Sequence, residues 1–293
     1  MTNQMYSVHA NRPSERSRLS MSLNIKLFVS CHKPGVCVPS NPLLVPIQVG
    51  THLAQKRLPM MLHDDEGDGI SEKNSSYCEL TGQYWAWKNV DADYYGFFHY
   101  RRYFNFSDIE YPIHHEPFIF GEVVFDRNDE ESLRKIAFDE KSMREVIESH
   151  DFIAPVPIAT PDGASVYEQY RLSSGQHIED LDTVLSIVKD VYPEIWPSAL
   201  KYMSQIALYA CNMFVMKRNL FEQYSNFLFD VLGRHERLCD TSHYSAVERR
   251  VSGYLGERLC GVYLTYLYDC GYRGHDLQRV YFRDTSMMRP EVL

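Results

Sequence analysis

The sequence contains no apolar run approaching the ~18 uninterrupted residues of a membrane-spanning helix. Its first 22 residues also lack the apolar core of a secretory signal. Positive charge is in deficit: 30 Lys and Arg stand against 39 Asp and Glu, a formal net charge of −9. Phosphate-backbone binders need a basic surface and anionic membranes recruit basic segments, so neither nucleic acid nor strong membrane attachment is expected. No Cys-x-x-Cys pair occurs, and the cysteines number seven. Cys211 and Cys260 fall inside apolar runs, where a thiol behaves as a small hydrophobe. That usage argues against a disulfide framework and a zinc site and fits a reducing compartment, so the cytoplasm is the expected setting. Internal repeats and low-complexity tracts are absent as well.

What is present is an ordinary globular composition, 44% hydrophobic and 24% charged over 293 residues, enough for one large domain. Residues 1–22 read as a disordered leader and 23–293 as the domain. Ile25 to Ser30 is a short buried strand, and the proline-bearing stretch 31–50 reads as loop. Residues 74–89 place Tyr77, Leu80, Tyr84 and Trp87 on one helical face. Asp151 to Pro155 is a further strand, and 105–128 and 155–176 read as irregular. Helices are predicted over 140–149 behind an Asp139 cap, over Ile178–Lys189, from Phe221 to a stop at Gly233, and over Gly253–Asp269. Ile206 to Met216 reads as one core strand interrupted by Asn212. Strands alternate with helices, so the fold class is α/β with a central, mostly parallel sheet and a helical C-terminal third.

The segment Tyr94-Tyr95-Gly96-Phe97-Phe98 reads as a buried strand that runs directly into His99-Tyr100-Arg101-Arg102. Cations at the end of a strand mark the rim of a sheet, where open α/β folds bind ligands. Two arginines there point to an anion, phosphate first among them. In an extended chain His99 and Arg101 share one face, and Tyr100 and Arg102 the other. His32, His114 and His115 have no companions at zinc spacing and are read as loop and surface residues.

Several motifs carry a resemblance: IKLFVSCHK at 25–33, PIQVG at 46–50, GDGISEKN at 67–74, and YCELT at 77–81 followed by YWAWKN at 84–89. HYRRYF at 99–104, CNMF at 211–214, and RVSGY with ERL at 250–259 continue it. In this order the chain, over Asn24 to Tyr268, resembles bacterial capsular and exopolysaccharide glycosyltransferases with the HYRRYF signature, long filed as a domain of unknown function (DUF4422-like). The resemblance implies a GT-A-like fold and transfer of a sugar from a UDP-sugar donor to a saccharide or lipid-linked saccharide acceptor in capsule, exopolysaccharide or lipopolysaccharide synthesis. Some members are linked to galactofuranose transfer. A membrane-borne acceptor implies peripheral docking at the inner face of the membrane.

GT-A enzymes usually hold the diphosphate through a divalent metal on Asp-x-Asp just after a core strand. Asp91-Ala92-Asp93 matches that pattern but precedes the strand. The basic run takes the later place, so an arginine is expected to supply the metal's charge, with no metal ligands and no metal requirement. Asp68, Asn74, Glu79 and Thr81 are the other expected donor contacts with His99, Arg101, Arg102 and Asn212, and Asp64 is a weaker candidate for ribose or uracil. Gly69 stands where the family more often has Asn. Inverting transfer needs a carboxylate base. Asp180, in His177-Ile178-Glu179-Asp180, is the first candidate, with His177 beside it and Glu257 as the rival. A retaining transferase and a non-catalytic nucleotide-sugar or glycan-binding module are the competing readings.

Overall fold

A computed structural model describes residues 22–116 and 119–286. Residues 1–21, nearly all of the expected leader, lie outside the described residues. The strands are β1 (Ile25–Cys31), β2 (Leu44–Gln48), β3 (Leu62–His63), β4 (Tyr94–His99), β5 (Arg102–Phe104), β6 (Val123–Arg127), β7 (Phe152–Pro155), β8 (Ile158–Ala159), β9 (Ala207–Leu208), β10 (Phe214–Lys217), β11 (Gly274–Leu277) and β12 (Arg279–Asp284). The helices are α1 (Asn74–Tyr77), α2 (Leu80–Asn89), α3 (Glu130–Lys135), α4 (Glu140–Glu148), α5 (Val166–Leu172), α6 (Ile178–Val191), α7 (Trp196–Ser204), α8 (Arg218–Leu238) and α9 (Val251–Asp269). No helix among the described residues is long and apolar enough to cross a membrane.

Ten strands form one sheet, its main path ordered β11-β7-β10-β4-β1-β2-β3. β1 is parallel to both β2 and β4, while β10 runs antiparallel between β4 and β7. From β1 the chain moves outward through β2 and β3, then returns to β4 on the other side of β1. The order therefore reverses between β1 and β4, and a crevice opens at their carboxyl ends. β5 folds back on β4 and joins β12, which pairs with β6.

Alternation along the strands divides the core. Phe28, Tyr95, Phe97, Phe214 and Met216 face one side, where α2, α6, α7, α8 and α9 contribute the covering residues. Leu27, Val29, Tyr94, Phe98 and Val215 face the other, under Met143 and Ile147 of α4 and the β5, β6 and β12 residues. Both faces are covered, which explains why β4 reads as an unbroken apolar run. Burial of each large side chain contributes roughly 1.5–3 kcal/mol.

Several sequence expectations need correction. β2 lies inside the stretch expected to be loop and includes Pro46; β3 pairs only with Ile47 and Gln48, so at Pro46 one side of β2 has no strand partner, and a proline is tolerated. β6 falls in the region read as irregular. The loop expected over 155–176 contains α5, whose cap Ser165 accepts from the Glu168 amide at 3.1 Å; Ser-x-x-Glu was the signal for it. The helix expected over 74–89 breaks at Cys78, where φ is 52°. α8 does not stop at Gly233 but runs to Leu238, because Leu232 and His235 stay buried and outweigh the ~1 kcal/mol cost of a helical glycine. The strand expected over 206–216 splits into β9 and β10 around Cys211 and Asn212.

Candidate active site

The carboxyl ends of β1, β2 and β4 share one edge, and a cleft of about 900 Å³ opens there. Ser30, His32 and Lys33 reach it from β1 and its exit, Val49 from β2, and His99 to Arg102 from β4 and its turn. Asn74, Ser75, Cys78 and Glu79 enter from the α1–α2 break, Ala246, Arg250 and Glu257 from α9 and the chain before it, and Tyr281 from β12. A protein of net charge −9 thus gathers Lys33, Arg101, Arg102, Arg250 and two histidines around one opening.

The HYRR segment does not continue extended. His99 pairs with Arg102, so Tyr100 and Arg101 form the tip of a hairpin, and the expected two-face division gives way to a folded cluster. The His99 Nε2 proton goes to the Cys211 carbonyl at 2.8 Å. Arg101 donates to the Tyr281 hydroxyl at 3.0 Å and lies over the Tyr100 ring, while its Nε has no partner. Arg102 is tied differently: its Nε donates to buried Glu122 at 2.7 Å, which Arg279 approaches at 3.6 Å. Arg101 therefore lines the cleft with a single side-chain hydrogen bond among the described residues, whereas Arg102 also braces the wall.

Glycines on α9 bring its acid to the cleft. A Cβ on Gly253 would meet Cys78 Sγ at 3.0 Å, and one on Gly256 would meet Leu80 Cδ1 at 2.6 Å. Their absence lets the helix lie against the α1–α2 break, so Glu257 and Glu79 line the same cleft. Glu257 accepts the Cys211 amide at 3.0 Å, and its other oxygen is 3.7 Å from Arg258 Nη1. Glu79 accepts the Asn212 amide at 2.9 Å.

Other expected site residues sit elsewhere. Asp180 is 2% exposed; His235 Nε2 donates to one oxygen at 2.7 Å and the Tyr244 hydroxyl to the other at 2.8 Å. It lies outside the cleft, because its helix start packs into the interior. His177 stacks on Tyr244 at 4.4 Å and pairs with Glu248 at 3.1 Å, also outside the cleft. Thr81 is buried behind the wall and donates to Asp64 at 2.6 Å. Asp64 is fully buried and accepts from Gly50, Thr51, Ser71 and Thr81, so it organises the loops rather than meeting a ligand. Asp68 is exposed, outside the cleft, and its backbone pairs with Asn89. Asn74 does line the cleft, and its amide donates to the Cys78 carbonyl at 2.7 Å. Asn212 is buried behind Glu79.

Sequence reasoning placed His32 on the surface and did not single out Lys33 or Tyr281. His32 stands at the cleft mouth, edge-on to Tyr100, with part of its ring exposed. Partial burial, then the charges of Lys33, His99, Arg101 and Arg250, lower its pKa below the usual histidine value. Burial raises the Cys211 thiol despite the pull of Arg279 and Arg102, so it stays protonated.

The residues do not fit an Asp-x-Asp metal centre. Asp91 pairs with Arg218, and Asp93 accepts the Asn24 amide at 2.8 Å, both at the amino end of β4. Among the described residues, the cluster with potential ligand atoms within 4.8 Å of one another is Asp180, His235 and Cys239, outside the cleft.

With this geometry in view, comparison with known proteins gives three findings. The family described as a domain of unknown function (DUF4422) matches residues 26–267. A solved structure, described as the apo form of the WbbM bifunctional glycosyltransferase, is similar with a TM-score of 0.83 and 32% identity, over 92% of this chain and 47% of that one. The chain therefore spans about half the length of that protein. No curated protein matches.

Proposed function

We propose that this chain, which belongs to the DUF4422 family, is a GT-A-like glycosyltransferase that moves a sugar from a UDP-sugar to a saccharide acceptor. The observation that carries this reading is the cleft at the reversal of the sheet, where the basic hairpin tip faces two carboxylates. The similarity to a bifunctional glycosyltransferase supports it.

Arg101, Arg250 and Lys33 receive the diphosphate, with Arg102 holding the wall and contributing charge. As the anomeric carbon separates from the phosphate oxygen, the bonding pair leaves with the nucleoside diphosphate, and fixed cations stabilise the growing charge. Glu257 accepts the proton of the acceptor hydroxyl while that oxygen bonds to the anomeric carbon, with inversion. It replaces Asp180 in this role because both Asp180 oxygens are engaged in the interior. The cations stand in for a metal. Synthesis of capsule, exopolysaccharide or lipopolysaccharide, with galactofuranose among the candidate sugars and a lipid-linked acceptor reached by peripheral docking, completes the proposal.

The test is a panel of UDP-sugars, UDP-galactofuranose included, assayed for hydrolysis and transfer with and without EDTA. Transfer that survives EDTA is expected. Loss in EDTA with recovery in manganese overturns the metal-free reading. UDP binding without turnover of any donor favours a binding module. NMR of the product's anomeric configuration checks inversion, and retention removes the base role from Glu257.

A further inference from the structure

Six non-glycine residues among those described have positive φ; two of them, Cys78 and Cys211, line this cleft, and a third, Asn212, lies directly behind it. Two are consecutive: Cys211 at 74° and Asn212 at 48°. Asparagine tolerates the left-handed region, but a cysteine there is disfavoured by its Cβ. Such strain persists only where surroundings over-determine it, and it concentrates at functional sites.

The surroundings here are specific. The Cys211 amide donates to Glu257 Oε1 at 3.0 Å, and its carbonyl accepts from His99 Nε2 at 2.8 Å. Arg279 Nη1 lies 3.0 Å from the Cys211 sulfur. The Asn212 side-chain amide donates to Glu79 Oε1 at 2.9 Å, and its own Oδ1 is buried without a partner. Asn212 does not line the cleft, whereas Glu79 and Glu257 do.

We infer that the Cys211–Asn212 turn is a positioning element that sets Glu79 and Glu257 in register, with Asn212 acting through Glu79 rather than on the sugar. This deepens the proposed function and rests on it. Each acid commits one oxygen to the turn and presents the other. The second Glu257 oxygen is 3.7 Å from Arg258, beyond hydrogen-bond length, and no hydrogen bond holds the second Glu79 oxygen among the described residues. The ligand class that matches two acids so fixed is a polyol. Glu257 takes the proton of the reacting hydroxyl, and Glu79 orients a neighbouring hydroxyl of the sugar. The turn joins them because Cys211 and Asn212 are adjacent, so displacement of one acid disturbs the other.

The experiment is a double-mutant cycle of Asn212→Gly and Glu79→Ala. Glycine keeps the left-handed turn and removes the amide. Asn212→Gly should lower kcat by on the order of 10²-fold, the scale of a misplaced reactive group, with the donor KM little changed. In the Glu79→Ala background the same change should cost almost nothing, since its target is gone. Full kcat in Asn212→Gly, or equal losses in both backgrounds, overturns the inference. A rise in donor KM in place of the kcat loss overturns it too, since the amide would then touch the donor. Thermal unfolding of the four proteins needs no substrate. If the parent chain transfers no sugar, the proposed function falls, and additive Tm shifts would then overturn the Asn212–Glu79 coupling independently, while non-additive shifts support it.

Discussion

Asp180 lies in the first turn of α6 and Glu257 in the second turn of α9, and their surroundings differ in kind. Around Asp180 the carboxylate is buried and both of its oxygens are paired: His235 and Tyr244 complete it, and the three tie α6 to α8 and to the chain before α9. Around Glu257 one oxygen is fixed by a strained backbone and the other is left beside a cleft lined with cations. A fully satisfied buried acid serves cohesion, whereas a half-satisfied acid at an opening is available for chemistry. The contrast favours Glu257 over Asp180, which helix position and acidic character had put first.

The largest effect that can break this comparison comes from exchanging the losses. Glu257→Gln should reduce transfer about 10²–10⁴-fold with little change in Tm, as expected for removal of a general base. Asp180→Ala should do the reverse, costing about 2–5 kcal/mol of stability because His235 and Tyr244 are left buried without their acceptor. Kinetics and thermal unfolding on both variants check this pair. Loss of kcat in a fully folded Asp180 variant would return the base role to that residue.

The two arginines sharpen the comparison at the next level. Arg101→Ala should weaken UDP binding roughly 10-fold or more through loss of a charge-assisted contact, with Tm nearly unchanged. Arg102→Ala should lower both affinity and Tm, because Glu122 is 1% exposed and loses its 2.7 Å partner, leaving Arg279 at 3.6 Å as its nearest cation among the described residues. Calorimetric titration with UDP beside unfolding curves distinguishes them. Equal effects on Tm would remove the difference assigned here.

The smallest expected effect concerns His32. Its folded pKa lies below the unfolded value of 6.5, so the unfolded chain takes up the proton first as pH falls. The stability associated with His32 is full above that value and declines as pH drops through the window beneath it. Solvent screening at this exposure keeps the change small. A bound diphosphate reverses the preference by favouring imidazolium, so UDP binding near pH 6 should take up a fraction of a proton. Titration in buffers of different ionisation enthalpy measures the net proton exchange, and the His32→Ala variant should remove the share taken up by His32 while leaving the contribution of the UDP terminal phosphate, which also titrates at about pH 6.

Much of this was legible along the chain. β1, β4, β7, α4, α6 and α9 follow from apolar period and caps, and the basic rim after β4 follows from four consecutive letters. α7 was missed although Pro197 occupies its first turn, a favoured place for proline. Asn212 was read as a polar residue within a strand because the surrounding apolar letters hid a turn. The Cys78 break was hidden in the same way, since both sides of it are helical.

The sequence by itself determined the α/β class, the alternation that buries both faces of β4, and the sign of the charge at its end. These depend on residue type and short-range period, which a linear chain carries in full. Only the tertiary structure decided which acids meet those cations. Glu79, Glu257 and the Cys211–Asn212 turn come from parts of the chain far apart in sequence. They meet because Gly253 and Gly256 let α9 close against the α1–α2 break, and because Asp180 was drawn into the core by partners that no local pattern announces.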